Sequence, residues 1–181
     1  MTVKMIRGKL KIRIYGDPCL RKKSEILKEV GPSERMLIAA MLDTMYESKG
    51  VGLAAPQVGI NQQIFVADVG DGPVVVVNPK ILKKSGAIKQ EEGCLSIPGI
   101  TVDVKRPGKI VVQYLDENSR LVERELNNIL ARVFQHESDH LNGKLIIDYV
   151  PLTEKLKVRR LLKELAKLEH PSRKSKKDSS D

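Results

Sequence analysis

The sequence predicts an α+β fold with three helices and largely antiparallel or mixed β-sheets, on the strength of three observations. Apolar residues recur at helical spacing in three separate stretches. Between the first and second of these, β-branched runs follow one another with no helical pattern interleaved. Turn signals, rather than long crossovers, separate those runs, which is the mark of hairpin connections.

The first helix follows Gly31-Pro32-Ser33, with Leu37, Met41 and Met45 four residues apart, Ile38 and Leu42 beside them, and Gly50 as a stop; it spans about 16 residues. Residues 50–59, Gly-Val-Gly-Leu-Ala-Ala-Pro-Gln-Val-Gly, read as a loop, because glycine permits positive φ and close backbone approach. Strands are expected at residues 63–69 and 74–77 around Gly70-Asp71-Gly72. Further strands are expected at residues 100–104, 109–115 and 121–126, punctuated by Pro107-Gly108 and Asp116-Glu117-Asn118-Ser119. The second helix runs over residues 127–141, with Asn127 or Asn128 as N-cap and Asn142-Gly143 as its end. The third covers residues 153–168, with Val158, Leu161, Leu162, Leu165 and Leu168 as one stripe, and Pro171 bars continuation. No repeat or linker divides the chain, so residues 1–170 read as one catalytic domain and residues 171–181 as a basic, disordered tail.

Composition narrows the function classes. At 41% hydrophobic and 30% charged, the 181 residues suit one well-buried domain. Aromatics are only 3%, with no Trp, which argues against a stacking surface for single-stranded nucleic acid. No apolar run approaches the ~20 residues that span a bilayer, and the basic N-terminus lacks the apolar segment of a secretory signal. Two cysteines, Cys19 and Cys94, make no disulfide framework, so the reading is cytoplasmic and reducing. Of the formal charge of +9, residues 1–30 carry nine Lys/Arg against three Asp/Glu and residues 151–181 ten against five. The stretch between is therefore slightly acidic. Solvation explains the basic ends most simply; a polyanionic partner such as RNA is the sharper alternative.

The chemistry lies in Gln135-His136-Glu137-Ser138-Asp139-His140. Two histidines four apart share one helical face and can share one metal, while Glu137, rotated by about 100°, can face a water on that metal and move protons. The chain has three histidines in all, so this meeting around a Glu is a poor candidate for chance. A third ligand is needed, with one position left open. In the extended zinc-protease form Gly143 falls on the motif's glycine, but its last ligand position is Ile146, which binds no metal. Glu164 on the third helix is a downstream candidate; Cys94, in Glu91-Glu92-Gly93-Cys94-Leu95-Ser96, is the better one. Cys19, after Asp17-Pro18 with no ligand neighbours, reads as structural.

Three segments together resemble the peptide deformylase family: Gly50-Val51-Gly52-Leu53-Ala54-Ala55-Pro56-Gln57, Glu92-Gly93-Cys94-Leu95-Ser96 and His136-Glu137-Ser138-Asp139-His140, in that order. Asp17-Pro18-Cys19-Leu20-Arg21 looks like the family's start, and the resemblance covers about residues 10–165. It implies sheets surrounding a central helix that carries the metal motif. It also implies one divalent metal on Cys94, His136 and His140, ferrous iron natively with Zn, Ni or Co able to replace it. Glu137 would be the acid/base, with Gln57 and the Leu95 N–H stabilising the oxyanion. Gly50, Gly52 and Gly93 would meet an extended formyl-Met peptide, and Val51, Ile129 and Val133 would line an aliphatic pocket for its methionine. Arg132, one turn before His136, is placed at the mouth of that pocket, and Asp139 is expected to pair with Arg106.

Two other readings compete. An endopeptidase built on the same helix would need a downstream ligand and would leave Cys94 without a role. A non-enzymatic, basic RNA- or ribosome-associated protein would leave the whole constellation unused. A compatible variant has the basic third helix and tail docking the enzyme on ribosomal RNA, where nascent formyl-Met polypeptides emerge; truncation after Val150 would then abolish salt-sensitive ribosome binding.

Overall fold

The computed structural model describes residues 10–169; the basic residues 1–9, Pro171 and the tail lie outside the described residues. Pro32 opens α1 (Pro32–Glu47), where its missing N–H costs nothing and its fixed φ suits the first turn. Glu34 turns back to accept the Gly31 N–H at 3.0 Å. Leu37, Ile38, Met41 and Met45 are buried, as the four-residue repeat predicts.

Residues 50–59 are not wholly a loop. They contain a strand, β1 (Gly52–Ala54), and a single 3-10 turn, Ala55–Val58. All seven of those residues are buried, so no alternation betrays the strand. β1 pairs with β2 (Ile64–Ala67), which pairs in turn with β3 (Val74–Ser85). β3 runs well past the predicted 74–77: Asn78, at φ +52°, and Pro79 break the apolar pattern, and register irregularities there let the strand continue. β4 (Ile88–Glu92) escaped the sequence reading because it is almost wholly polar and exposed. β5 (Val102–Arg106) lies two residues later than expected and alternates buried and exposed positions. β6 (Lys109–Leu115) and β7 (Leu121–Asn127) close the set.

The strands form a five-stranded sheet, β1-β2-β3-β6-β7, and a separate β4-β5 ribbon, with every pairing between them antiparallel. Among the described residues, a parallel bridge joins Glu25 to Gln62. β2 is buried on both faces. Ile64 and Val66 join a cluster with Leu37, Met41 and Met45 of α1, while Phe65 and Ala67 face Ala131, Phe134 and Leu141 of α2 (Asn128–Leu141). Phe65 and Phe134 meet edge to face at 5.0 Å. With the sheet on one side and the ribbon on the other, α2 is the central helix.

Asn127 holds the extended N-cap conformation of α2 but makes no side-chain cap bond; Asn128 follows at φ +51°. The helix ends at Gly143, whose φ of +70° suits glycine, and whose missing Cβ would lie 2.6 Å from the Arg21 carbonyl oxygen. α3 (Leu152–Glu169) packs Val158, Leu162 and Leu165 against a third cluster built from β5 and the 3-10 turn Ile146–Tyr149. Leu161 leaves the expected stripe and is exposed, because its position on the helix turns it away from that cluster. Among the described residues, no helix is long and apolar enough to cross a membrane.

Candidate metal centre and active cleft

Ile97 N–H donates to the Cys94 carbonyl in the turn that follows β4, holding Cys94 beside α2. Cys94 Sγ lies 3.2 Å from His140 Nε2. One donor atom each from Cys94, His136 and His140 falls within 4.8 Å of the others. The two imidazoles stand 5.1 Å apart, inclined at 65°. A sulfur and two imidazole nitrogens, shielded from water and converging with no fourth protein donor among the described residues, fit one divalent cation with an open position.

Glu92 fixes the orientation of His136: the Nδ1–Oε2 contact is 3.0 Å, which leaves Nε2 for the metal. Burial works against the Glu92 carboxylate, but its bonds to His136 and Arg106 hold it down to about 2. Burial also opposes a charge on His136, yet its contacts with Cys94 and Glu92 hold a proton there up to about 10, one that a divalent cation on the same donors must displace. His140 is driven the other way, well below the ordinary imidazole value, by burial and the positive charges of His136 and Arg106. It is therefore a neutral ligand. Glu137 is raised to about 7, first by burial, with one carboxylate oxygen lacking a hydrogen-bond partner. That is the condition of a group able both to take and to give a proton near neutrality.

The 3-10 turn after β1 delivers Gln57. Ala54 N–H donates to its Oε1 at 2.7 Å, so Nε2 is turned toward the site, donating to Ser96 Oγ at 3.3 Å and to Cys94 Sγ at 3.6 Å. Gly50, Val51, Gly52, Gln57, Gly93, Cys94, Leu95, Ile129, Val133, His136 and Glu137 all line one cavity of about 390 Å³, while His140 lies behind them.

Within that cavity two expectations change places. Val51 and Ile129 are about half exposed and stand at the mouth, whereas Val133 is buried. Arg132, expected at the mouth, is 7% exposed and turned into the wall, because Glu92 and two ribbon carbonyls draw its guanidinium inward. Arg106 does pair with Asp139, at 2.8 Å. Cys19 donates to Asn61 and its thiol is pushed up by burial, in keeping with a structural role. Glu164 is on an exposed part of α3 paired with Lys167, and Ile146 is buried in the core, so neither reaches the metal donors. Glu92 is the participant the sequence reading passed over; its adjacency to Gly93-Cys94 was visible, but not its turn toward His136.

The fold and site define a single-metal hydrolase whose His-Glu-x-x-His helix takes a cysteine as third ligand. Comparison with known proteins narrows the class. Residues 9–156 match the family described as Polypeptide deformylase. The peptide deformylase of Thermotoga neapolitana is 48% identical over 158 residues, covering 87% of this chain and 96% of the relative. That of Clostridium botulinum is 50% identical over 137 residues, covering 76% and 93%. A crystal structure of the Thermotoga maritima peptide deformylase superposes with a TM-score of 0.77 at 49% identity, covering 79% of this chain and 98% of that one. The Plasmodium falciparum peptide deformylase does so with a TM-score of 0.85 at 39% identity, covering 91% and 100%. The chain belongs to the polypeptide deformylase family.

Proposed function

We propose that Glu137, Gln57 and the Leu95 amide carry out, beside the Cys94–His136–His140 metal site, the removal of the formyl group from N-terminal formylmethionine. The convergence of those three metal donors, two of them lining the same cleft as Gln57 and Glu137, carries the reading. Cys94, His136 and His140 would hold a divalent cation that would supply Lewis acidity for the formyl carbonyl and for a water. Glu137 accepts the proton of the attacking water as its oxygen bonds to the formyl carbon. Gln57 Nε2 and the Leu95 N–H donate to the oxygen on which negative charge develops. Glu137 then returns the proton to the methionine nitrogen as the C–N bond breaks, leaving a free amine and formic acid, which ionises to formate. A pKa near 7 suits both transfers.

Gly50, Gly52 and Gly93 offer backbone for an extended peptide, and Val51, Ile129 and Val133 hold the methionine side chain in the apolar part of the cleft. The donor set suits several divalent ions; the resemblance to the family favours ferrous iron, with Zn, Ni or Co as substitutes. Residues 1–170 act as one catalytic domain, in a reducing cytoplasm where both thiols stay free. Formate release from a formyl-Met peptide, measured anaerobically with ferrous or nickel enzyme, tests the assignment; no release from fully metallated protein would overturn it.

The partners are nascent formyl-Met polypeptides, met at ribosomal RNA through α3. Lys155, Arg159, Arg160, Lys163 and Lys167 are exposed on that helix. Because α3 also packs on the core, charge reversal at Arg159, Arg160 and Lys163 is a cleaner test than truncation after Val150. It should abolish salt-sensitive ribosome sedimentation, and unchanged binding would refute the docking.

A further inference from the structure

We propose that Arg132 is a positioning residue for the metal centre, locking the ribbon that delivers Cys94 onto the helix that carries His136 and His140. The three ligands come from two independent supports. Cys94 follows β4 of a two-stranded ribbon that shares no strand pairing with the five-stranded sheet, and the histidines stand on α2. A two-stranded ribbon is marginal by itself, and Val102 and Val104 of β5 seat this one against the 3-10 turn Ile146–Tyr149 and α3 rather than against α2. Something must therefore set the sulfur's distance from the imidazoles.

Arg132 lies one helical turn before His136, on the same face. Its guanidinium engages both strands of the ribbon at once: Nη2 donates to Ile88 O of β4 at 2.8 Å, and Nη1 donates to Val104 O of β5 at 3.1 Å. Nη1 also reaches Glu92 Oε1 at 2.5 Å, and Glu92 stands two residues before Cys94 while its other oxygen holds His136 Nδ1. One rigid fork thus joins helix, both ribbon strands and the acceptor of a metal ligand. Arg106 completes the lock in the opposite direction, from β5 to Glu92 and to Asp139 of α2. With side chains at 8%, 5% and 5% exposure, Arg132, Arg106 and Glu92 are shielded from water, so geometry at their bonds passes to the ligands with little slack.

The inference rests on the metal centre described above, and a planar fork with fixed donors is essential to it. Lysine at 132 would preserve the charge beside Glu92 but not the simultaneous grip on both strands. Arg132→Met and Arg132→Lys should each lose nickel or cobalt to a competing chelator about 10–100-fold more readily than the parent, the usual cost of losing a residue that orients a metal ligand. The sulfur-to-metal absorption of the cobalt form should shift as well, with lysine the milder variant, while KM for a formyl-Met peptide in the reloaded enzyme stays within about threefold. The lysine variant carries the test if the methionine one does not fold. Unchanged metal affinity and an unchanged cobalt spectrum, whatever the thermal stability, would make Arg132 a fold residue only and overturn the proposal. Full metal retention with a large rise in KM would make it a determinant of substrate binding rather than of the metal ligands, and would overturn it equally. Failure of the parent protein to bind metal would instead overturn the metal centre, and the lock with it.

Discussion

At the scale of single residues, the site divides its labour by environment. Glu92 and Glu137 are both buried carboxylates, yet one is held down to about 2 and the other raised to about 7. Glu92 meets two guanidiniums and an imidazole, so its charge is satisfied; Glu137 has one oxygen with no partner. The first orients His136, and the second is placed to move protons in the proposed reaction. Glu137→Gln keeps the shape and removes the base, so formate release should fall by about 10²–10⁴ while bound metal per chain is retained. If its amide serves the developing oxyanion as proposed, Gln57→Ala should lower kcat by about 10²–10³ with KM little changed. Steady-state kinetics on metal-quantified protein separates these outcomes from simple metal loss.

At the scale of elements, close approach decides which residues are allowed. A Cβ on Gly52 would land on the Glu137 carboxylate and 2.9 Å from Val133 Cγ1, so β1 and α2 touch through that glycine. Gly52→Ala should push Glu137 off its position and cost at least tenfold in kcat/KM, with a loss of about 1–3 kcal/mol in denaturant unfolding from overpacking. The 3-10 turn before α3 is tied to the N-terminal region by Arg21 and Asp148 at 2.6 Å. Burial works to raise Asp148, but Arg21 and the Leu145 N–H outweigh it and hold the carboxyl below its usual range. A depressed carboxylate contributes stability above its unfolded pKa and loses it as pH falls through the folded one. The melting temperature of Asp148→Asn should therefore fall less steeply than that of the parent on acidification below about pH 4.

At the scale of the whole molecule, a cation on Cys94, His136 and His140 would join parts that the backbone leaves separate. The five-stranded sheet and α2 share an apolar core, whereas the β4-β5 ribbon meets α2 through Arg106, Arg132 and the metal ligands. Removing the metal with a chelator should lower the melting temperature as well as abolish activity, and adding back nickel should restore both. A melting temperature indifferent to metal would show that the arginines and the third apolar cluster hold the ribbon without it.

Much of this was legible along the chain. Helical spacing placed α1, α2 and α3 to within a residue or two, since an amphipathic period survives in sequence wherever one face is buried. The His136–His140 spacing announced a metal, because four residues on a helix bring two side chains to one face. β1 and β4 were not legible as strands: one is buried on every side and the other is exposed nearly throughout, so neither alternates. Nor was the grip of Glu92 and Arg132, which lie 40 residues apart and meet only after the ribbon folds over the helix. By itself the sequence determined the ligand types, the helix that carries two of them, and the family. Only the tertiary structure decided how Cys94 reaches them and which charges hold it there, because local period records a residue's own face and not what packs against it.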